Sequence, residues 1–464
     1  MPMFVDYSHL IRHNPPRLHY GVAVVDVDDD GVCELFVAGF DGANRVLRWD
    51  GAGFVDIADN ILADAQRQAI GVAAGDIDGD GREEIYVLNT DTFAGRKRFG
   101  DRLFDYQETG WVDLFELPQN QEALNLTAGR SVAVVDRLGA GRYGFFVANY
   151  GGPFRLYELD RFGEVQDMAS AAGISFTTGG RGVIALPLVT PRMDIFTVNE
   201  NGPNFLFANR GDGTFEEIAR RAGLPDPHEH GRGVAAGDFD DDGRFDLVYG
   251  NWEGPHRLFL QKWDGLFVDA APPDLAEPSR VRTVIAADFD NDGELEIFFN
   301  NIGEPNRLFA RRNGGWVKID PGDALEAGGL GTGAAVGDFD GDGRLELLVS
   351  HGEADLQPLS LYRTMPNDHA WLRVLPLTRA GAPARGAVVV LESGGRRQLR
   401  AIDAGSGYLC QMEAVAHFGL GGVRTVDHIE VRWPDGATVT IPSPAPNQVL
   451  RVPHPQERWM TPGL

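Results

Sequence analysis

Residues 71–81 read GVAAGDIDGDG, an apolar run that leads straight into an acidic, glycine-rich turn. The pattern occurs seven times, with starts that are 50, 60, 51, 51, 50 and 50 residues apart. The aligned segments are GVAVVDVDDDG (21–31), GVAAGDIDGDG (71–81), SVAVVDRLGAG (131–141), GVIAL (182–186), GVAAGDFDDDG (233–243), TVIAADFDNDG (283–293) and GAAVGDFDGDG (333–343). A repeat of about 50 residues is typical of a propeller or of a linear array of repeats.

A complete repeat contains four short apolar runs that are separated by glycine, asparagine or aspartate turns. After the acidic turn come runs such as EIYVLN (84–89), RLFLQ (257–261) and FEEIA (215–219). Four short strands joined by tight turns make up one propeller blade. The sequence therefore predicts an all-β fold, with a seven-bladed β-propeller over residues 1–365 and a small C-terminal β-rich domain over residues 366–464.

The seventh repeat ends at LSLYRT (359–364) without a fourth apolar run. The N-terminus carries such a run, MFVDYSHLI (3–11), which matches FVDIADNIL (54–62) of the first repeat. We therefore expect Phe4–Asp6 to supply the outer strand of the last blade and so to close the ring. An N-terminal arm that lies elsewhere is the alternative.

After about residue 365 the repeat stops. Hydrophobic and polar residues alternate in HIEVRW (428–433) and ATVTIP (437–442), on either side of a Pro-Asp-Gly sequence. This pattern predicts antiparallel hairpins in the C-terminal domain, with Pro-Asp-Gly as a turn.

The net charge of −26 argues against a nucleic-acid or anionic-membrane partner, since both require a basic surface. No apolar run is long enough for a transmembrane helix, so no membrane insertion is expected. The N-terminal residues lack the apolar core of a signal peptide, which predicts a cytoplasmic protein, or a secreted one if a signal was removed. The two cysteines, Cys33 and Cys410, are expected to be free thiols, with one disulfide as the alternative.

Five acidic turns follow the pattern D-x-D-x-D-G-x-x-[DE]. Their carboxylates are Asp26, Asp28, Asp30 and Glu34; Asp76, Asp78, Asp80 and Glu84; Asp238, Asp240, Asp242 and Asp246; Asp288, Asp290, Asp292 and Glu296; and Asp338, Asp340, Asp342 and Glu346. The seventh residue of each turn would add its carbonyl oxygen: Val32, Arg82, Arg244, Glu294 and Arg344. Carboxylates crowded into one turn repel each other unless a cation lies among them.

Oxygen ligands in a flexible loop suit Ca²⁺, which accepts six to eight of them, better than Mg²⁺. The sequence thus predicts about five Ca²⁺ sites, and their regular recurrence indicates a structural role. Solvated acidic turns without metal are the alternative. The third repeat keeps only Asp136, and residues 187–194 of the fourth show no counterpart of the motif, so no metal is expected in either.

These turns resemble FG-GAP/VCBS repeats of integrin-type propellers. The stretches GSGYLCQ (405–411), HFGLG (417–421), VDHIEVRWPDG (426–436) and NQVL (447–450) resemble an ASPIC/UnbV domain. The combination is similar to bacterial members of the cartilage acidic protein family. The resemblance implies calcium in the loops, frequent secretion, and a link to natural-product gene clusters. It supplies no catalytic motif.

Four arginines stand just before the first strand of four consecutive repeats: Arg130, Arg181, Arg232 and Arg282. If the first strand is innermost, they surround the channel mouth on the face opposite the calcium loops. His228, His230 and Trp252 belong to neighbouring loops. Guanidinium groups so placed could bind an anionic ligand through bidentate contacts. Pairing of each arginine with a neighbouring carboxylate or carbonyl is the alternative.

Two functions from different classes are compatible with these patterns. No GxSxG, P-loop or HExxH motif occurs, which favours a calcium-stabilised binding scaffold for a protein, a glycan or a small molecule. The alternative is a cofactor-independent cyclase, lyase or isomerase of natural-product biosynthesis, with its site on the face opposite the calcium loops. An enclosed pocket at the channel mouth or the domain junction would favour the enzyme, with a lining of Arg181, Arg232, His228 and Trp252. A flat, solvated face would favour the scaffold.

Overall fold

The apolar runs of the repeats form four-stranded antiparallel units. The computed structural model describes residues 2–263 and 265–456, so Met1, Asp264 and residues 457–464 of the predicted domains lie outside the described residues. Five units are separate sheets, and two more join into one eight-stranded sheet because Gly144–Pro153 also pairs with Thr177–Leu186. The prediction of an all-β propeller followed by further β-structure is confirmed.

The strands of the seven units have these bounds. The first strands are His19–Val25, Ala69–Gly75, Gly129–Val135, Thr177–Leu186, Gly231–Gly237, Val281–Ala287 and Gly331–Gly337. The second strands are Glu34–Gly39, Glu84–Asn89, Gly144–Pro153, Asp194–Asn199, Asp246–Asn251, Glu296–Asn301 and Glu346–His351. The third strands are Arg45–Trp49, Arg102–Gln107, Arg155–Leu159, Phe205–Asn209, Arg257–Gln261, Arg307–Arg312 and Ser360–Thr364. The fourth strands are Phe54–Asp56, Gly110–Asp113, Val165–Asp167, Phe215–Glu217, Phe267–Asp269, Gly315–Ile319 and Phe4–Asp6.

The first strands form a ring around a central channel. Each packs against the first strand of the next unit, and Gly331–Gly337 packs against His19–Val25. The N-terminal strand Phe4–Asp6 pairs antiparallel with Ser360–Thr364, so that Phe4 lies opposite Thr364. Phe4 is buried, with its ring 4.9 Å from that of Phe289. The two ends of the repeat region are thereby joined in one sheet.

Burial decreases from the channel outward. Every residue of Glu84–Asn89 is buried, whereas only the first residue of Phe267–Asp269 is. Inner strands packed between two neighbouring units carry nearly continuous apolar runs, since both of their faces are covered. Short helices follow some outer strands: the α-helices Asn60–Ala63, Ala219–Ala222 and Pro273–Ala276, and the 3₁₀-helices Ser8–Leu10, Leu114–Glu116, Pro118–Ala123 and Asp323–Leu325. None of the helices in the described part of the chain has the length and apolar character that a membrane crossing requires.

The chain after the propeller repeats forms two further sheets. One has the strand order Ala416–Gly421, Ala370–Pro376, Val449–Val452, with the last pair parallel. The other has the order Arg396–Ala401, Val388–Ser393, His428–Arg432, Thr438–Pro442. In the second sheet Arg432 pairs with Thr438, so Pro-Asp-Gly lies in the turn of an antiparallel hairpin, as the alternating pattern predicts.

Residues 403–413, which we name the channel plug, leave the C-terminal sheets and enter the propeller channel. Backbone N–H groups of four first strands donate to plug-region carbonyls: Val24 to Gln411 (3.1 Å), Val72 to Leu409 (3.1 Å), Val134 to Ala404 (2.7 Å) and Val284 to Gly407 (3.2 Å). The buried Gln411 side chain also accepts from Ala74 N and donates to Ala74 O (2.8 and 2.9 Å). The plug thus satisfies backbone groups that an open channel would leave to water.

Two repeat glycines leave room for the plug. A Cβ atom at Gly21 would lie 2.2 Å from the carbonyl oxygen of Leu409, and one at Gly233 would lie 2.2 Å from that of Gly407. Any larger residue would force the plug backbone away from the first strands. The glycine that opens several of the aligned segments is therefore explained by close backbone approach.

The two cysteines are free in the structure. Cys410 belongs to the plug, where its Sγ accepts from Val22 N (3.4 Å), and burial raises the pKa of its thiol to about 12. Burial also raises the pKa of the Cys33 thiol well above its usual value. Such thiols are poor nucleophiles, because the reactive species is the thiolate.

Candidate metal centres and the channel mouth

Five loops between first and second strands each bring three carboxylates together, and we name them the metal loops. Within each group the candidate ligand oxygens lie within 4.8 Å of one another. The groups are Asp26, Asp28 and Glu34; Asp76, Asp78 and Glu84; Asp238, Asp240 and Asp246; Asp288, Asp290 and Glu296; and Asp338, Asp340 and Glu346. Two oxygens bound to the same Ca²⁺ at about 2.4 Å can be at most about 4.8 Å apart, so the spacing suits calcium.

The backbone of each loop folds around its first carboxylate. In the first unit, Asp26 accepts hydrogen bonds from Asp30 N (3.1 Å) and Gly31 N (2.8 Å). Gly31 takes a positive φ of 87°, a conformation that favours glycine. The closing carboxylate, Glu34, accepts from Val27 N at 2.8 Å. These bonds hold the carboxylates of Asp26 and Glu34, the first and ninth residues of the motif, close together. The spacing of the two residues in the sequence is therefore what allows the group to form.

The electrostatics of the groups favour binding of a cation. Burial, together with the neighbouring carboxylates, raises the pKa of Glu34 to about 8 and that of Asp76 to about 7. Several buried oxygens of the groups have no hydrogen-bond partner among the described residues: Glu34 Oε1, Asp240 Oδ1, Asp288 Oδ1, Glu296 Oε1 and Asp338 Oδ1. Buried polar atoms are normally paired. The residues present therefore fit a bound Ca²⁺, which would satisfy these oxygens and offset their repulsion.

A pH dependence of the calcium-free protein follows. The buried carboxyls have pKa values of about 6 to 8, against about 4 when unfolded. The folded state binds these protons more tightly than the unfolded state does, and this preference stabilises the fold fully below pH 4. The stabilisation is lost as the pH rises through 6 to 8 and the carboxyls ionise. We expect the melting temperature of the chelated protein to fall between pH 5 and pH 9, and this slope to disappear in excess calcium. Parallel slopes with and without calcium, measured by scanning calorimetry, would contradict the assignment.

The third aspartate of each motif lies beside the group of three. It accepts a hydrogen bond of 2.8 to 3.0 Å from the backbone N–H two residues on. These donor–acceptor pairs are Val32 to Asp30, Arg82 to Asp80, Arg244 to Asp242, Glu294 to Asp292, and Arg344 to Asp342. The coordination by these aspartates and by the seventh-residue carbonyls remains a prediction.

Among the described residues, the third and fourth units show no group of three carboxylates like those of the metal loops. Asp136 accepts from Ala140 N (3.0 Å) and Gly141 N (2.7 Å). Asp194 pairs with Leu186 in the register that Glu84 has with Gly75, so it takes the place of the closing carboxylate in a loop that is one residue shorter than the metal loops. Its carboxylate accepts five hydrogen bonds, from Leu188 N, Val189 N, Thr190 N, Thr190 Oγ1 and Asn209 N. The signal in the sequence was the aspartate immediately before the apolar run IFTV (195–198).

The C-terminal sheets contact the metal loops of the sixth and seventh units. Gly419 N donates to Asp288 Oδ2 (2.8 Å), and Arg373 Nη1 lies 3.0 Å from Asp338 Oδ2. His417 Nε2 bonds to Asn291 Oδ1 at 2.6 Å. The C-terminal segment therefore lies on the metal-loop face, and the plug enters the channel from that face.

The four arginines lie within the first strands of units three to six, and not just before them as the sequence pattern indicated. Arg130, Arg232 and Arg282 are the second residues of their strands, and Arg181 is the fifth residue of the longer strand Thr177–Leu186. In the other three units the equivalent position holds Tyr20, Ile70 or Thr332. We name Arg130, Arg181, Arg232 and Arg282 the arginine half-ring. All four are at most 9% exposed. They lie at the mouth opposite the metal loops, because these loops join the other ends of the first strands.

Carboxylate and carbonyl oxygens accept hydrogen bonds from the guanidinium groups of the half-ring, as the alternative interpretation expects. Glu200 binds both Arg181 Nε (2.9 Å) and Arg232 Nη2 (2.6 Å). Burial raises the pKa of Glu200, but the two guanidinium groups outweigh burial and hold it at about 2. Arg282 pairs with the half-exposed Glu353. Arg130 donates to the carbonyl oxygens of Gly129 (3.1 Å) and Phe93.

The tip of the plug reaches the arginine half-ring. Tyr408 OH accepts a hydrogen bond of 3.0 Å from Arg181 Nη1. Burial alone would raise the pKa of this phenol, but the four arginines outweigh burial and lower it to about 8. Trp252 lies 5.2 Å from Arg232 and 4.6 Å from Arg282 in cation–π geometry. Tyr408 was not among the expected site residues, because its partners are distant in sequence.

The two loop histidines are peripheral to this cluster. His230 is exposed, and its Nδ1 bonds to the Glu200 carbonyl oxygen at 2.8 Å. His228 is also exposed. Arg232 Nη1 donates to the backbone carbonyl oxygen of His230 at 3.4 Å, so His230 meets the half-ring through its backbone and not through its imidazole. The side chains of the site are therefore the arginines, Glu200, Trp252 and Tyr408.

A cavity of about 140 Å³ lies at the opposite, metal-loop end of the channel. Its walls are formed by small and apolar residues of units four to seven and by the C-terminal segment, with Asp288, Arg400, Asp403, Ser406, Glu413 and His417 as polar groups. Ser406 Oγ donates to Asp403 (2.5 Å), and Met412 N donates to the same carboxylate (3.0 Å). Burial lowers the pKa of His417 well below its usual value, so this imidazole is neutral.

Comparison with known proteins decides the family. The ASPIC and UnbV family model matches residues 378–458, and the FG-GAP-like repeat model matches residues 26–87, 191–249, 238–299 and 294–349. Human cartilage acidic protein 1 is 51% identical, in an alignment covering 98% of this chain and 76% of the relative. The chain belongs to the cartilage acidic protein family. The family member from Xenopus tropicalis is 49% identical over 96% of this chain and 75% of the relative.

Membership of the cartilage acidic protein family accounts for the calcium-type loops and the C-terminal segment together. The FG-GAP-like matches leave residues 88–190 uncovered, a range that includes the third unit with its single retained aspartate. A solved structure of BBS1N in complex with ARL6DN covers 79% of this chain and 98% of that chain, with a TM-score of 0.47 and 11% identity. The relatives give no support to the implied link with natural-product biosynthesis.

Proposed function

We propose that this chain is a calcium-stabilised binding scaffold that holds a protein, glycan or small-molecule partner at the channel mouth opposite the metal loops. The observation that carries this proposal is the arginine half-ring, since four cations from four consecutive units lie together on a protein of net charge −26. Local positive potential on an acidic protein steers and orients anionic partners. Calcium would stiffen the loops at the far ends of the same strands.

The enzyme hypothesis has one specific observation in its favour, the cavity at the metal-loop end of the channel. Its polar side chains are engaged with one another and with the backbone: Ser406 with Asp403, and His417 with Asn291. A hydrolase or lyase needs a nucleophile or base whose reactive atom faces substrate. Ser406 and Asp403 form a hydroxyl–carboxylate pair, but the same carboxylate also accepts from the backbone N–H groups of Gly405 (2.9 Å) and Met412 (3.0 Å). These bonds assign Asp403 to holding the backbone of the plug, so binding is the better-supported function.

The setting of this function is also a proposal. The curated relatives are named for cartilage, an extracellular tissue, and this favours the secreted alternative over the cytoplasmic one. Extracellular calcium modules have dissociation constants of about 10⁻⁴ to 10⁻³ M, so loops of modest affinity would stay loaded there.

Photo-cross-linking from two matched positions tests the binding face. Phe93, 63% exposed, lies in the loop between second and third strands at the mouth, and Phe162, 72% exposed, lies in a turn on the metal-loop face. Each would be replaced by para-benzoylphenylalanine in the calcium-loaded full chain and irradiated in its native fluid. We expect a discrete adduct from position 93 that excess unlabelled protein competes away. Equal labelling from both positions, or labelling from 162 alone, would rule out the mouth as the binding face.

A further inference from the structure

The arginine half-ring carries more positive charge than its own carboxylates neutralise. Its four guanidinium groups face two carboxylates, Glu200 and Glu353, and Glu200 is shared by two of them. Arg130 has no carboxylate within ion-pair distance among the described residues, and its hydrogen bonds go to backbone carbonyls. A net excess of about two positive charges therefore remains at the mouth at neutral pH, by the reference ionisation states.

Burial makes this excess costly. Arg130 is 5% exposed, and burial lowers the pKa of its guanidinium to about 10. The Nε atoms of Arg232 and Arg282 are buried and have no hydrogen-bond partner among the described residues. Buried donors and unpaired cations are unfavourable unless an acceptor of opposite charge is supplied. The half-ring thus has unsatisfied charge and unsatisfied donors in one place.

The geometry around the half-ring prepares it for an acceptor. Phe93 packs against Arg130 at 5.4 Å and Trp252 against Arg282 at 4.6 Å, both in cation–π contact. Such contacts engage the face of a guanidinium and leave its in-plane N–H groups for acceptors. Tyr408 OH accepts from Arg181, so its own proton is free to be donated.

We propose that the arginine half-ring, with Tyr408 at its centre, binds an oxyanion group (a sulfate, phosphate or carboxylate) of the partner. This rests on the proposed function and names the chemistry recognised at the same mouth. Arg130 and Arg282 are the principal donors, because Arg181 and Arg232 are already held by Glu200. The oxyanion displaces the half-exposed Glu353 from Arg282, and charge-assisted hydrogen bonds to the arginines replace that ion pair.

The defining experiment titrates the calcium-loaded full chain with inorganic sulfate, phosphate and acetate, each at constant ionic strength against chloride. Calorimetry measures binding, and absorbance at 295 nm follows ionisation of Tyr408, assigned by its loss in Tyr408→Phe. We expect saturable binding of at least one anion and a rise in the pKa of Tyr408 on binding, because the anion offsets the arginine charges that lower it. The ranking of the three anions identifies which oxyanion the site prefers.

Arg130→Gln should weaken this binding about tenfold or more, the equivalent of one charge-assisted hydrogen bond. Arg280→Gln is the matched control, since Arg280 is a half-exposed mouth residue that pairs with Glu253, and it should change binding less than twofold. If Arg130→Gln fails to fold, Arg282→Gln takes its place, because its partner Glu353 is half exposed and tolerates the loss. Absence of saturable binding, or equal affinity in Arg130→Gln and wild type, overturns the proposal.

Different results would overturn the binding-scaffold proposal and the oxyanion proposal. A partner that cross-links at position 93 with equal yield in wild type and Arg130→Gln supports the scaffold and overturns oxyanion recognition. Saturable anion binding that depends on Arg130, without a specific adduct at position 93, supports the anion site and overturns the mouth as the partner-binding face.

Discussion

Exhaustive chelation of calcium lowers the melting temperature of this protein by more than about 10 °C, as we expect from the five groups of buried carboxylates. When free calcium is at about a hundred times the dissociation constant of a site, binding at that site stabilises the folded state by about 2.7 kcal/mol. Several such sites together approach the whole stability of a typical domain, about 5–15 kcal/mol. Each kcal/mol is worth about 2–4 °C in a domain of roughly 200 residues. Scanning calorimetry before and after chelator, with calcium added back, measures the effect.

A matched pair of variants assigns the metal to the loops. Asp238 and Asp136 are the first residues of their motifs, and each accepts two backbone N–H groups. Asp238→Asn should remove one calcium equivalent per chain, measured by elemental analysis, whereas Asp136→Asn should remove none. An unchanged melting temperature in protein verified to be metal-free would exclude a structural role for calcium.

Arg385→Met should lower the free energy of unfolding by about 3–5 kcal/mol, the usual cost of breaking a buried ion pair. Arg385 and Glu83 are 1% and 4% exposed at their side chains, and their two bonds measure 2.6 and 3.0 Å. Arg385 also donates to the Asp403 carbonyl oxygen at 2.8 Å. Its loss leaves a buried carboxylate without its cation and loosens the base of the plug. Chemical denaturation in saturating calcium gives the difference.

An exposed pair and a double variant complete this test. Arg432 and Glu430 are 44% and 31% exposed, so Arg432→Met should cost less than about 1 kcal/mol. The double variant Arg385→Met, Glu83→Met should recover part of the loss, because no unpaired charge remains. A double variant less stable than Arg385→Met alone would mean that lost packing, and not the unpaired charge, sets the cost.

The unit structure and the metal loops could be predicted from the sequence because both have local chemical signatures. The D-x-D-x-D-G pattern brings its own carboxylates together within nine residues, and the alternation of apolar runs and turns recurs in every repeat. Asp194 was missed because its loop is one residue shorter than the metal loops and residues 187–193 contain no other carboxylate. A pattern built on residue types does not detect a ligand position whose neighbours have changed.

The plug and its contact with the half-ring could not be predicted, for a different reason. Its bonds join residues as far apart as Val22 and Cys410, 388 positions, and most of them connect backbone groups. Backbone N–H and C=O groups are common to all residues and leave no mark on composition. The plug does leave a trace in the sequence, since Gly21 and Gly233 make room for it. From the sequence alone, a glycine that recurs in a repeat is equally well explained as a turn residue. The repeat marks the four arginines as equivalent residues of successive units, but nothing in it marks the phenol of Tyr408 near them.

The plug also has a consequence for the order in which the protein folds. The seven units are complete in the chain by Thr364, yet the interior of their ring is filled only by residues 403–413. Contacts of such long sequence separation form slowly, because a large loop must close before they are made. During synthesis the units therefore keep apolar strands exposed until residues 403–413 have been made. We expect truncation before residue 403 to yield an aggregation-prone intermediate and not a smaller propeller.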